Sequence, residues 1–187
     1  LIFLRRSRGY APEPIRINHD FKEILAVGPE LKNTFCLTIG NYAFISHHIG
    51  DLQNLETLNA FEEGIQHFEN IFRITPIAIA SDLHPEYLST KYALERTVKE
   101  NIPLVKIQHH HAHLASCLAD NGWLSDEPVI GLCFDGTGYG TDGRIWGGEL
   151  LVGGLLGFER TAHLEYMPLP GGDAGTRNPV SYTHLRA

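Results

Sequence analysis

The sequence predicts an α/β fold in which an antiparallel section comes first and parallel crossover units follow. Three observations carry this. Between Ile24 and Ser46, β-branched and aromatic residues gather in short runs separated by the turn dipeptides Gly28-Pro29 and Gly40-Asn41. From Leu52 to Phe72, apolar residues recur at helical spacing. Beyond that, short apolar runs alternate with helical stretches, the pattern of strands joined by helical crossovers.

Residues 1–14 read as a strand-like end, a basic turn at Arg5-Arg6-Ser7-Arg8 and a proline-rich exit, which is the tail of a preceding domain. Residues 15–23 read as its linker. A three-stranded meander follows at Ile24 to Val27, Thr34 to Ile39 and Tyr42 to Ser46. Leu52, Leu55, Leu58, Phe61, Ile65 and Phe68 then define a helix from about Gln53 to Phe72. Pro76 to Ser81 is a strand, Glu86 to Glu100 a helix and Ile102 to Ile107 a strand. His109 to Asn121 is a third helix, stopped by Gly122. The order βββαβαβα is that of a ribonuclease-H-like unit, the building block of actin-like ATPase folds. Val129 to Phe134, a glycine-rich turn at Asp135 to Gly143, Ile145 to Val152 and Phe158 to Met167 then read as the βββ start of a second, truncated copy. The units are placed at 24–123 and 124–179.

At 43% hydrophobic and 20% charged, the 187 residues have the composition of a soluble globular protein, and no apolar run is long enough to cross a bilayer. A net charge of −7, with basic residues scattered outside the Arg5 to Arg8 cluster, argues against a general nucleic-acid surface. Cys36, Cys117 and Cys133 form no CxxC pair, which fits reduced thiols in the cytoplasm, and Cys117 reads as a small buried core residue, with a thiolate ligand or nucleophile beside His113 as the alternative.

The chemistry is expected in the run Gln108-His109-His110-His111-Ala112-His113. His109 and His113, four apart, share one helix face and can aim two imidazole nitrogens at one divalent metal. The alternative is a helix start with partly exposed histidines. The run follows an apolar strand, where α/β folds place their ligands, and this favours the metal. A third ligand must come from elsewhere. In the glycine-rich turn, Asp135 can hold a metal, and the backbone at Gly136, Thr137, Gly138 and Gly140 can approach a phosphate; the alternative is an ordinary long β-hairpin turn, where Asp-Gly is common. The turn Gly28 to Thr34 offers Lys32 and Thr34 in the equivalent place. Asp173 and Arg177, in a later glycine-rich loop, are candidates for holding substrate.

These stretches, with Arg5 to Pro12, Ala26 to Thr34, Asp82-Leu83-His84-Pro85, Phe134 to Gly140 and Pro168 to Asp173, resemble the carbamoyltransferase HypF family of nickel–iron hydrogenase maturation factors. The resemblance implies an enzyme that makes carbamoyl-adenylate from carbamoyl phosphate and ATP, releasing pyrophosphate. It then passes the carbamoyl group to the carboxy-terminal cysteine thiol of a partner maturation protein. Residues 1–14 would be the end of a threonylcarbamoyl-AMP-synthase-like domain, with Ser7 and Arg8 at its nucleotide site. Residues from about 22 would be the front of a domain like the tRNA threonylcarbamoyl transferases. His109, His113 and Asp135 match that domain's metal site, with zinc, iron or manganese as the ion and magnesium as a further companion of ATP. The fragment alone is expected to be inactive, since another metal-binding aspartate of the family lies outside it. Val180 to Ala187 fits no part of the family pattern and resembles translated adapter or vector sequence. Two other classes compete: an actin-like kinase or ATPase, which has no use for the two histidines, and a non-catalytic, metal-stabilised docking module.

Overall fold

The computed structural model describes residues 11, 13–123, 125 and 127–166. Seven strands and three helices are seen among them, in two sheets. The first sheet has the order β2-β1-β3-β4, from β1 (Ile15–Ala26), β2 (Cys36–Ile45), β3 (Ala78–Asp82) and β4 (Leu104–Ile107). β1 runs antiparallel to β2, and the β1–β3 and β3–β4 pairs are parallel. The helices are α1 (Leu55–Phe72), α2 (Leu88–Glu100) and α3 (His109–Asp120). The second sheet is an antiparallel meander of β5 (Val129–Tyr139), β6 (Ile145–Gly153) and β7 (Phe158–His163).

Two expectations are corrected here. Residues 15–23 are not a linker but the first part of β1, where Ile15, Ile17 and Phe21 are the more covered side chains of an alternating run. The expected three-stranded meander is a two-stranded pair, because β2 continues through Gly40-Asn41 instead of turning there. Gly40 takes a φ of +55°, and the register shifts between Arg16 and Phe21 beside it, so a glycine that reads as a turn instead absorbs an irregularity in a long strand.

Phe61, Ile65 and Phe68, one stripe of α1, are buried against Leu25, Leu37 and Ile79 of the sheet and against Phe35. Asn54 caps α1 by accepting from the Thr57 N–H at 2.8 Å. α2 begins at Tyr87, whose side chain makes no cap, and Glu30 fills that role by accepting from the Leu88 N–H at 2.6 Å. Glu30 belongs to the Gly28 to Thr34 turn. Asn33, fully buried, holds that turn by donating to the Val27 and Pro29 carbonyls, and a β-carbon on Gly28 would lie 2.3 Å from the Thr34 oxygen.

α3 follows β4 in the chain, yet its apolar face is built into the second sheet. Leu114 and Leu118 form one core with Cys133, Trp146 and Leu151. Gly131 of β5 makes this approach possible, since a β-carbon there would stand 2.9 Å from the Leu114 side chain.

Candidate metal centre

Gln108 starts α3. Its buried side chain accepts from the His111 N–H at 2.9 Å, and its amide nitrogen donates to the Tyr139 carbonyl at 3.3 Å, tying the helix start to the end of β5. The four histidines that follow then separate by helical phase. His110 points inward, is fully buried beside Trp146, and is kept neutral mainly by that burial. His111 reaches the Gly154 carbonyl at 2.8 Å. His109 and His113 turn to the remaining face, where they meet Asp135.

Asp135 does not lie in a turn, as the sequence reading has it. β5 runs on to Tyr139, and the reversal itself is at Gly140 to Arg144, closed by hydrogen bonds between Gly140 and Arg144 and between Gly143 and Gly140. Asp135 sits in a bulge: β5 pairs through Phe134 with Gly148 and next through Gly138 with Trp146, so three residues of β5 face Gly147 alone. The bulge re-aims the carboxylate toward α3. His109 Nε2 lies 2.8 Å and His113 Nε2 3.1 Å from Asp135 Oδ2, and the two nitrogens are 3.2 Å apart.

Three donor atoms converging on one point are the arrangement a divalent ion requires. Donors bound at about 2.0–2.2 Å in a tetrahedron stand roughly 3.3–3.6 Å apart, so this triangle needs to widen by only a few tenths of an ångström. With two imidazoles and one carboxylate, the donor set suits zinc, iron or manganese. His113 is 57% and Asp135 38% exposed at the side chain, which leaves the outer side of the site open to a further ligand.

A residue that the sequence reading missed completes the arrangement. Asp82, at the carboxyl end of β3 and only 6% exposed, lies 3.1 Å from His109 Nδ1 through Oδ2, while its Oδ1 accepts from the His84 N–H at 2.9 Å. A proton held on Nδ1 by Asp82 leaves the Nε2 lone pair of His109 free to bind. The hydrogen bond to Asp82 raises the His109 imidazole above its ordinary range; burial opposes this, and Asp135 adds to the rise. Burial pushes Asp135 up, but the Gly136 N–H at 2.7 Å and the imidazoles of His109 and His113 outweigh it and bring the carboxylate below its usual value. Asp82→Asn is expected to weaken metal binding by about 10- to 100-fold, because the amide can present its nitrogen to Nδ1 and undo the tautomer control. Titration of wild type and variant with Co²⁺ checks this, and equal affinities would remove Asp82 from the site.

The other expected site residues are distributed differently. Gly136 and Thr137 are exposed in the bulge next to Asp135. Gly138 and Gly140 serve close packing: β-carbons there would stand 2.5 Å from His110 Cε1 and 2.1 Å from Trp146 Nε1. Lys32 is exposed, with its backbone N–H donated to Asp51 at 2.8 Å. A largely apolar cavity of about 440 Å³ opens beside the donors, lined by Gly28, Thr34, Ser81, Asp82, His109 and His113 among others, and Lys32 is not on its wall. Cys117 is exposed rather than buried, because its place on α3 falls outside the Leu114 and Leu118 stripe. Ser7, Arg8, Asp173 and Arg177 lie outside the described residues. No helix among the described residues is long and apolar enough to cross a membrane.

Residues 19–120 match the family model of the HypF Kae1-like domain. Residues 131–186 match that of the carbamoyltransferase Kae1-like domain, second subdomain, a span that includes most of the tail set aside as foreign. Among curated proteins, the carbamoyltransferase HypF2 of Cupriavidus necator is 47% identical over 177 residues, covering 95% of this chain and 22% of its own length. The carbamoyltransferase HypF of a Synechocystis species is 41% identical over 98% of this chain and 23% of its own. Among solved structures, a full-length HypF described as phosphate- and nucleotide-bound superposes with a TM-score of 0.83 at 52% identity, covering 90% of this chain and 22% of that one. HypF from T. kodakarensis gives 0.86 at 43% identity, covering 94% and 23%. The chain thus spans under a quarter of the length of these relatives.

Proposed function

The chain belongs to the carbamoyltransferase HypF family, and from that premise we propose that its metal centre serves transfer of a carbamoyl group from carbamoyl-adenylate to the terminal cysteine thiol of a hydrogenase maturation partner, in the cytoplasm. The observation that carries this reading is the convergence of His109, His113 and Asp135 on one point at the mouth of a cavity. Carbamoyl phosphate and ATP would be consumed upstream to make the adenylate. In this reading the two sheets are the first unit of an actin-like fold and the start of its second, an inference supported by the parallel β1–β3–β4 crossovers and the second antiparallel meander, with two strands in place of the expected three before α1.

A divalent ion bound here would act as a Lewis acid toward a carbonyl or phosphate oxygen. The remaining work falls to the chain. Asp82 fixes the proton on His109 Nδ1 and with it the direction of Nε2. Asp135, held as a carboxylate by the Gly136 N–H and the two imidazoles, supplies the negative donor. Gly136 and Thr137 are the members of the expected phosphate-binding set that lie exposed beside the donors, which supports adenylate binding there. The largely apolar cavity wall offers an incoming thiol a surface that binds water poorly. A kinase or ATPase makes no use of the donor triangle, and a docking module has no need of its open outer side.

The test is carbamoyl transfer in a full-length chimera that carries residues 1–179 of this chain in place of the matching segment of the Cupriavidus HypF2. Asp135→Asn is expected to lower transfer of labelled carbamoyl to the partner thiol by at least about 100-fold, with pyrophosphate release retained. Unchanged labelling would sink the transfer reading. Loss of partner binding along with labelling would favour the docking module.

A further inference from the structure

Opposite the Asp135 bulge the β5–β6 ladder is broken. Gly147, unlike Gly148, has no register partner on β5, and the N–H groups of the two are taken up locally. Both amides turn to one side chain: Glu149 Oε1 accepts from Gly147 N at 3.0 Å and from Gly148 N at 3.3 Å. Glu149 is only 3% exposed, and its second oxygen is anchored at 2.5 Å by Arg160 Nε, whose guanidinium lies 4.1 Å above the Trp146 ring. Gly147 in turn lies close under the bulge, where a β-carbon would be 3.0 Å from the Asp135 carbonyl oxygen and 3.2 Å from that of Gly136. The chain of contacts runs from Arg160 through Glu149 to the Gly147 backbone, and from there to the peptide that carries Asp135.

We propose that Glu149 is a positioning residue for the metal centre: its carboxylate stands in for the missing β5 partner and holds the β6 backbone in the shape over which the Asp135 bulge is built. This rests on the metal reading of the His109, His113 and Asp135 site. A buried acid two residues from an unpaired amide is a large desolvation burden for a strand that could have paired in the ordinary way. What it supports is the displacement of Asp135 out of ladder register, without which its carboxylate does not reach the two imidazoles. Removing the oxygen from the two amides leaves them unsatisfied, and the strand regains partners most directly by drawing the bulge back into register.

Two substitutions separate this role from a structural one. Glu149→Gln keeps an oxygen at the reach of the amides but removes the charge that pairs with Arg160. Glu149→Asp keeps the charge but withdraws the oxygen by one methylene. Co²⁺ is titrated into the 187-residue chain, following its visible absorption band for affinity and coordination geometry, and thermal unfolding is measured without metal. The expected result is a Glu149→Gln variant with a lowered Tm but a Co²⁺ affinity within about threefold of wild type, and a Glu149→Asp variant whose affinity falls at least about tenfold with an altered band. Affinity that follows Tm in both variants, or that changes in neither, overturns the proposal and leaves Glu149 a structural acid. A wild-type chain that binds no Co²⁺ overturns the metal reading itself, and this proposal with it, an outcome distinct from intact binding in Glu149→Asp.

Discussion

Replacing His109 by alanine is expected to lower the affinity of the chain for Zn²⁺ or Co²⁺ by more than about 100-fold, beyond what loss of an outer partner costs. His109 is the central member of the site. Its Nε2 meets both Asp135 and, at 3.2 Å, His113, while its Nδ1 meets Asp82. Without it, two donors remain, one of them on the largely exposed His113, and the Asp82 carboxylate is left buried facing a gap. The pH dependence has a definite sign. The two aspartates raise the proton affinity of His109, so a metal must displace a proton that is held more firmly than usual. Affinity in the wild type is expected to rise with pH through the raised His109 range, and that slope should be lost in His109→Ala. Calorimetric titration at several pH values checks both statements, and a wild-type affinity independent of pH would contradict the assignment of His109 as a ligand.

The second large effect is expected at a residue with no polar chemistry. Gly138→Val places a β-carbon where His110 Cε1 is 2.5 Å, His110 Nδ1 2.8 Å and His109 Cβ 3.1 Å away. His110 cannot yield, because it is fully buried against Trp146 and held by Gln108, so the start of α3 must move off β5. Overpacking of this kind costs about 1–3 kcal/mol of stability. The larger consequence is for the donors, since the same shift separates His109 and His113 from Asp135, and metal affinity is expected to fall by more than about 100-fold. A Gly138→Val chain that unfolds earlier but binds metal as wild type would show that α3 can retreat without opening the triangle.

The helical phase of His109 and His113 was legible in the sequence because a four-residue spacing has one geometric meaning on a helix, and α1, α2, α3 and the strands β3, β4 and β6 fall close to their expected places, while β5 runs on through the expected turn and β7 ends short of Met167. Asp135 was legible as a donor but not as a bulge, because glycines on both sides of an aspartate look the same in a turn and in a strand under strain. Asp82 was not legible as a partner of His109: 27 residues separate them, and only the parallel pairing of β3 with β4 brings the two ends together. The first half of β1 was hidden by the prolines before it, although Ile15, Ile17 and Phe21 already alternate. Glu149 was silent for a similar reason, since a lone acid in an apolar strand carries no sign of the amides it will meet.

α3 belongs by packing to the second sheet, and this divides the site in an uneven way. His109 and His113 ride on that helix, and Asp135 rides on the sheet beneath it, so the three donors travel as one body. Asp82 belongs to the other sheet. If the two sheets separate about the β4–α3 junction to admit a large substrate, the coordination triangle survives and the contact from Asp82 to His109 is the one that parts. The Nδ1–H of His109 would then be bonded to Asp82 in the closed form and to water in the open one, so that the aim of Nε2 registers whether the cleft has shut.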